Sequence, residues 1–364
     1  MLIFIAVLLV VFVGVIAFSV DVAYMHLART ELRTASDAAA RGAGEALSRT
    51  QNLDIARQAA KDVAALNTVD GKPLTLDDAD IVTGNSSRQS SGKWKFTAAG
   101  TPLNAFRVTG RKQNGSASGS VGLFFAPMFG VNDYEVAASA TSVRFDRDIV
   151  LVVDRSSSMK LYLNETRSGM SIYDWRVCAV AQPQSRWVAL EGAVNVFLSE
   201  LRKTPQIEYV GLASYASNFN YCGVSNSIAE INQNLSADTS LVSAAMNKIT
   251  NSYFNGNTAI GEGIRRGNQA LADPKNARPF ARKAMVLLTD GVHNTGVSPS
   301  VAANEALAQG VVIYTITFGT SADQTAMKAV ASTTGGKHYH APDQAALVAA
   351  FREIALSLSV ILTE

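Results

Sequence analysis

The chain has 364 residues, 48% hydrophobic and 17% charged, with 32 Lys and Arg against 30 Asp and Glu. That length accommodates two soluble domains plus an anchor. A net charge of +2 gives no electrostatic case for a nucleic-acid partner, and the two cysteines, with no Cys/His cluster, give none for structural zinc.

Residues 1–20 carry no charged side chain. Twenty helical residues at about 1.5 Å each span about 30 Å, one bilayer core. A cleaved signal peptide fits less well. The apolar run is longer than the usual hydrophobic region, nothing basic precedes it, and no small-x-small cleavage site follows. An uncleaved single-pass anchor is therefore expected. Arg29, Arg33 and Arg41 follow the run, which by the positive-inside rule would place the bulk of the chain in the cytoplasm. A short basic segment ahead of Met1, lost to a misassigned start codon, would reverse that reading.

Residues 21–67 are Ala-rich and helical, with Tyr24, Leu27, Leu32 and Ala35 near one stripe. The anchor helix is expected to run on through this juxtamembrane stretch. A second helix is expected over 55–66, capped by Asn52 or Asp54. The pattern of Val20-Asp21, Arg29, Leu32, Ala35 and Asp37 to Ala40 resembles the membrane-exit segment of TadE/TadG-like proteins of Flp/Tad pilus assembly.

Residues 68–145 alternate short strand-like runs, 79–83, 93–97, 105–109 and 134–145, with Pro, Gly and Ser clusters. They read as a small β-rich module. Residues 123–130, Leu-Phe-Phe-Ala-Pro-Met-Phe-Gly, read as its core plug, with a partner-facing patch as the other reading. Phe106 to Gly110, residues 123–130 and residues 136–141 resemble the β-rich portion of the TadG-like family. The order anchor, Ala-rich helix, β module and α/β domain is that family's arrangement.

The domain from 146 to 364 opens on Ile149 to Val153, a continuous β-branched run of the kind buried on both faces of a parallel sheet. It stops at Asp154, and Ser156 and Ser158 follow at D-x-S-x-S spacing. A carboxylate and two hydroxyls without a base make a poor nucleophile but a good hard-cation site. Alternating elements follow. Helices are expected at 186–201, 239–249, 260–271, 301–309, 322–332 and 344–360. Strands are expected at 207–215, 285–288, 311–318 and 338–340. Such alternation predicts a mostly parallel sheet with right-handed crossovers. A Gly/Asn loop brings Thr258, and the 285–288 strand ends at Asp290. Ligands bind at this carboxyl edge in open α/β sheets.

Asp154, Ser156, Ser158, Thr258 and Asp290 resemble the metal-ion-dependent adhesion site (MIDAS) of von Willebrand factor type A (VWA) domains, over roughly residues 146–361. The resemblance implies a Rossmann-like α/β fold and a divalent ion, Mg²⁺ or else Mn²⁺ or Ca²⁺. Ser156, Ser158 and Thr258 would face the ion, and Asp154 and Asp290 would accept hydrogen bonds from its waters. An open position would take an Asp or Glu carboxylate from a protein partner. One departure is an insertion at 160–185. A loop of that length is functional or disordered, and Tyr162, Tyr173, Trp175 and Cys178 argue against disorder. Two readings stand for Cys178 and Cys222: a bridge pinning the insertion in an oxidising compartment, or two unpaired thiols. His338 and His340 share a strand face but lack a third ligand nearby.

The expected function is binding, not catalysis. The chain would be an inner-membrane protein, bulk periplasmic, working with pilus-assembly or secretion components. A scaffold or surface adhesin with a dispensable metal site is the alternative. A hydrolase would need Glu262 or His293 as a base.

Overall fold

A computed structural model describes residues 1–89, 93–101, 103–144, 146–166, 169–203 and 207–359. For residues 2, 3, 6, 7, 10, 88, 358 and 359 it describes the backbone alone. Phe145 and Val360, at the ends of an expected strand and helix, lie outside the described residues, as do Arg167 and Ser168 of the insertion. The chain divides into two compact units, Met1–Phe145 and Asp146–Glu364.

In the first unit α1 runs unbroken over Leu2–Thr50, and its apolar N-terminal part is long enough to cross a membrane. It stops where Gln51 turns left-handed and donates its N–H to the Leu47 carbonyl at 2.8 Å. Asn52 is the cap of α2 (Leu53–Ala65); its side chain accepts from the N–H groups of Asp54 and Ile55. Ala56, Ala60 and Ala64, one turn apart, are fully buried. A short hairpin, β1 (Thr68–Val69) and β2 (Lys72–Pro73), leads to β3 (Ile81–Arg88), β4 (Trp94–Ala98) and β5 (Ala105–Lys112). A second hairpin, β6 (Val121–Gly122) and β7 (Asp133–Tyr134), precedes β8 (Val136–Val143). The antiparallel sheet has the order β4-β3-β5-β8.

The α1 helix lies on this sheet through small residues. Leu32, Ala35, Ala39, Ala40 and Ala43 are buried, and the Ser36 hydroxyl accepts from Gly110 N (3.1 Å) and donates to Ala138 O (3.1 Å). A β-carbon on Gly110 would lie 2.5 Å from Ser36 Oγ, so only glycine permits this approach. Residues 123–130 depart from the sequence reading. Phe124, Met128 and Phe129 are 62%, 82% and 77% exposed, so this run is no core plug.

The second unit is a six-stranded sheet. Its strands are β9 (Arg147–Asp154), β10 (Tyr209–Tyr215), β13 (Ala229–Ser236), β14 (Arg282–Thr289), β15 (Val312–Phe318) and β16 (His338–Ala341), in the order β13-β10-β9-β14-β15-β16. A side hairpin, β11 (Phe219–Tyr221) and β12 (Val224–Asn226), precedes β13. All sheet pairings are parallel except the antiparallel edge strand β13. The sequence reading missed β13, whose Ala-Glu-Ile-Asn-Gln-Asn-Leu-Ser is too polar for a buried run, and whose partner β10 is irregular at Val210 to Ala213. The helices are α3 (Arg186–Leu201), α4 (Ser240–Thr250), α5 (Ile260–Ala272), α6 (Pro299–Ala308), α7 (Gln324–Thr333) and α8 (Gln344–Ser359).

The strand β9 is buried at every residue. Ile149, Leu151 and Val153 face one core with Trp187, Leu190, Phe197 and Phe351, while Val150 and Val152 face the other with Ile260, Ile264 and Met327. This explains its unbroken apolar run. Chain order runs from β9 outward to β10 and β13 on one side, then to β14, β15 and β16 on the other. The carboxyl end of β9 is thus the topological switch point, the place where such sheets open a crevice.

Candidate metal centre

Asp154 ends β9 at this crevice and is fully buried. Its Oδ1 accepts the Ser156 N–H at 2.8 Å, which turns the chain sharply, and its Oδ2 accepts the Thr289 hydroxyl at 2.9 Å. The turn is tied on both sides: Arg155 N donates to Tyr215 O (2.8 Å) and Ser157 N to Gly256 O (3.0 Å). These bonds set Ser156 Oγ and Ser158 Oγ 3.1 Å apart. Ser158 Oγ donates to Asp290 Oδ1 at 2.7 Å, so the ends of β9 and β14 meet at one point.

Thr258 comes from the loop before α5. Its N–H donates to Asn294 Oδ1 (2.8 Å), and its carbonyl accepts the Asn294 N–H (3.1 Å). A β-carbon on Gly291 would sit 3.1 Å from Thr258 Oγ1 and 3.8 Å from Ser158 Oγ. Both hydroxyls therefore border one small space that glycine leaves open. The structure brings all five residues named from the sequence to this edge.

Burial raises the carboxyl pKa values of Asp154 and Asp290, and repulsion from Asp290 adds to the rise at Asp154. Arg186 opposes this at Asp290, with Nη1 2.7 Å from Oδ2. The ion pairs among the described residues include none to Asp154. Two buried carboxylates and one buried guanidinium leave excess negative charge beside three hydroxyls. This all-oxygen set fits a hard divalent cation. Among the described residues no group of three or more His, Cys, Asp and Glu could hold a metal, so any ion here depends on hydroxyl oxygens.

Sequence reasoning missed Arg186, read there only as the start of a helix. Its Nη2 also donates to Glu165 O at 2.6 Å, which couples Asp290 to the insertion. The insertion is well tied. Lys160 Nζ, itself buried, donates to the carbonyls of Arg176 (3.1 Å), Val177 (3.2 Å) and Ala179 (2.7 Å), and burial pushes its pKa down to about 8. Arg176 pairs with Glu165 and Asp174, and Cys178 is bridged to Cys222. The insertion, the 217–221 segment and the 255–257 loop line a cavity of about 380 Å³ beside Ser157, bordered by Met170, Ile172 and Tyr221.

The residues considered as bases stand otherwise. Glu262 Oε1 accepts the Val297 N–H (3.2 Å), and His293, with Nδ1 buried and unpartnered, has its pKa lowered by burial. The acceptor for Ser158 Oγ is Asp290, already held by Arg186. His338 and His340 bond to Thr315 and Thr317 on the neighbouring strand.

Family models match both units of the chain. The model of the von Willebrand factor type A domain matches residues 148–353. A Flp pilus-assembly TadE/G-like model matches residues 1–49, and a Tad-like Flp pilus-assembly model matches residues 38–142. Among curated relatives, the UPF0353 proteins of Mycobacterium tuberculosis and Mycobacterium bovis are 29% identical over 248 residues, 60% of this chain and 63% of theirs. The chain thus spans less than two thirds of those relatives' length. Solved structures include proximal thread matrix protein 1 from the mussel byssus with a zinc-occupied MIDAS motif (20% identity, 59% of this chain and 46% of that one, TM-score 0.43). Another is BatB from Bacteroides thetaiotaomicron (17% identity, 58% and 99%, TM-score 0.41). With its Rossmann-like sheet, its D-x-S-x-S edge and the matched segments ahead of it, the chain belongs to the von Willebrand factor type A family, as a TadG-like Flp pilus-assembly protein.

Proposed function

We propose that this protein is a membrane-anchored, metal-dependent protein-binding component of Tad-type pilus assembly or the related secretion machinery. The observation that carries the reading is the approach of Ser158 and Thr258 to the open space at Gly291, with Ser156 Oγ 3.1 Å from Ser158 Oγ and two buried carboxylates beside them. Ser156, Ser158 and Thr258 would hold a divalent ion, Mg²⁺ by preference of the oxygen set, with Mn²⁺ or Ca²⁺ as substitutes. Asp154 and Asp290 would fix the hydroxyls and accept hydrogen bonds from the ion's waters. When bound, the ion supplies an electrophilic position for a partner's Asp or Glu carboxylate.

The role is binding, not catalysis: Glu262 already accepts the Val297 N–H, and the matched families are assembly and adhesion-type modules. Residues 1–20 would anchor the chain in the bacterial inner membrane, with the bulk in the periplasm. The Cys178–Cys222 bridge supports an oxidising compartment, against the charge bias of Arg29, Arg33 and Arg41.

The test is capture of pilus-assembly components by the full chain in detergent, with Mg²⁺ and with EDTA. Capture should need the ion and disappear in Ser156→Ala/Ser158→Ala. Capture that ignores both chelation and the double substitution would make the site a dispensable part of a scaffold. Protease accessibility in spheroplasts checks the side of the membrane.

A further inference from the structure

The loop between β6 and β7 presents bulky apolar groups at a fixed level on α1. Residues 121–132, Val-Gly-Leu-Phe-Phe-Ala-Pro-Met-Phe-Gly-Val-Asn, contain no charge. Phe124, Phe125, Met128, Phe129 and Val131 are all exposed. Five large apolar side chains in one exposed loop are not scattered surface residues; such patches mark a contact.

The loop is rigidly placed. A 3-10 turn over Ala126–Phe129 starts with Pro127 near its head and closes at Gly130. The free N–H groups at its start converge on one carboxylate. Asp21 accepts from Phe124 (2.8 Å), Phe125 (3.0 Å) and Ala126 (2.6 Å) and is itself buried. The Tyr24 ring packs edge-on against Phe124, with centroids 4.8 Å apart. Asp21 is the first charged residue of α1 and follows directly on the twenty-residue apolar run.

We infer that this loop sits in the interface of the bilayer, as a second apolar contact beside the helix. The inference rests on the membrane-anchor reading of residues 1–20. Twenty residues at about 1.5 Å each bring the helix to the edge of the hydrocarbon at Asp21. The loop is bound to Asp21 itself, so its height is set by the same residue. On α1 the exposed Val15, Ile16, Phe18 and Val20 continue the apolar surface toward the loop's level. Phe side chains bury at the headgroup/acyl boundary in interfacial segments, and Tyr, as at Tyr24 beside the loop, is enriched at the membrane–water interface. The pairing also meets the polar requirement there: the turn's N–H groups and the Asp21 oxygens satisfy each other away from bulk water. The consequence is a helix fixed in rotation, so that the β module leaves the membrane with one defined face toward the lipid.

The experiment uses the full chain in phosphatidylethanolamine/phosphatidylglycerol vesicles, without other proteins and without reductant, so the Cys178–Cys222 bridge stays closed. An environment-sensitive fluorophore is attached at Met128→Cys, and at Lys95→Cys, an exposed basic position of the same unit, as the aqueous reference. Vesicle flotation after carbonate washing reads the anchor separately. In floated protein, the label at 128 should emit to the blue of the label at 95 and be quenched several-fold more by brominated acyl chains than by aqueous iodide. Combining it with Asp21→Ala should bring its iodide quenching toward that at 95, since three N–H groups lose their acceptor. Equal iodide quenching at 128 and 95 in floated protein would overturn the loop contact and leave the anchor standing. Shielding from iodide without bromine quenching would assign the patch to a second copy and overturn it too. Failure to float would remove the anchor and the loop contact together.

Discussion

Asp154→Asn separates the metal reading from a merely structural one, because it should change sign with the ion. Asparagine keeps the shape, and its oxygen can still accept the Ser156 N–H now held at 2.8 Å. Its amide can donate to the Thr289 hydroxyl, which sits 2.9 Å from Oδ2 and can accept as well as donate. What disappears is a fully buried charge that faces Asp290 and has no basic partner among the described ion pairs. Without metal, relief of that burial and repulsion should stabilise the second unit by roughly 1–3 kcal/mol. At 2–4 °C per kcal/mol for a unit of this size, Tm rises by roughly 2–12 °C. With metal, the parent protein gains about 2.7 kcal/mol at one hundred times Kd, and the variant gains nothing. The unfolding of the second unit can be followed at Trp187, which is fully buried, in a Trp94→Phe/Trp175→Phe background. Scans in EDTA and in excess Mg²⁺ then give the four values needed. A variant that is less stable in EDTA, or that still gains from Mg²⁺, would refute the argument.

Three further outcomes are expected. Cys178→Ser opens a loop closed across 44 positions, which the chain-entropy relation values at about 4 kcal/mol, and urea midpoints of oxidised parent and variant should differ accordingly. Lys160→Met removes the donor to three carbonyls along with the burial penalty of its ammonium, so stability should fall by only roughly 1–3 kcal/mol, but limited proteolysis should cut within 160–185 many times faster. Burial lowers the His338 pKa to about 4 from 6.5, so the folded state binds fewer protons than the unfolded one between those values. Stability should therefore fall as pH drops from 6.5 to 4, by roughly 1 kcal/mol after allowance for partial exposure, and His338→Gln should flatten that part of the urea-midpoint profile.

Much of the second unit was legible because burial on both faces leaves a mark in composition. Ile149 to Val153 must be apolar at every position when each face meets a core, and the carboxylate that ends the run marks the sheet edge. Ser156 and Ser158 were legible through spacing, since a local turn sets their distance. Arg186 was not, because its role comes from a contact with Asp290 104 residues away, and a basic residue at a helix start has no local signature. Edge strand β13 hid behind polar residues that a half-covered strand tolerates. The 123–130 loop misled for a related reason. Bulky apolar residues read as core unless something shows where the module ends, and Asp21, which fixes the loop's place, is a hundred residues upstream.

The most direct measurement is the position of a bound ion. Crystals of the protein grown with Mn²⁺, measured for anomalous scattering, should show one peak about 2.1–2.3 Å from the Ser156 and Ser158 hydroxyl oxygens and bordering Thr258, lost in Ser156→Ala/Ser158→Ala. No peak at saturating Mn²⁺, or a peak elsewhere with this edge empty, would contradict the account.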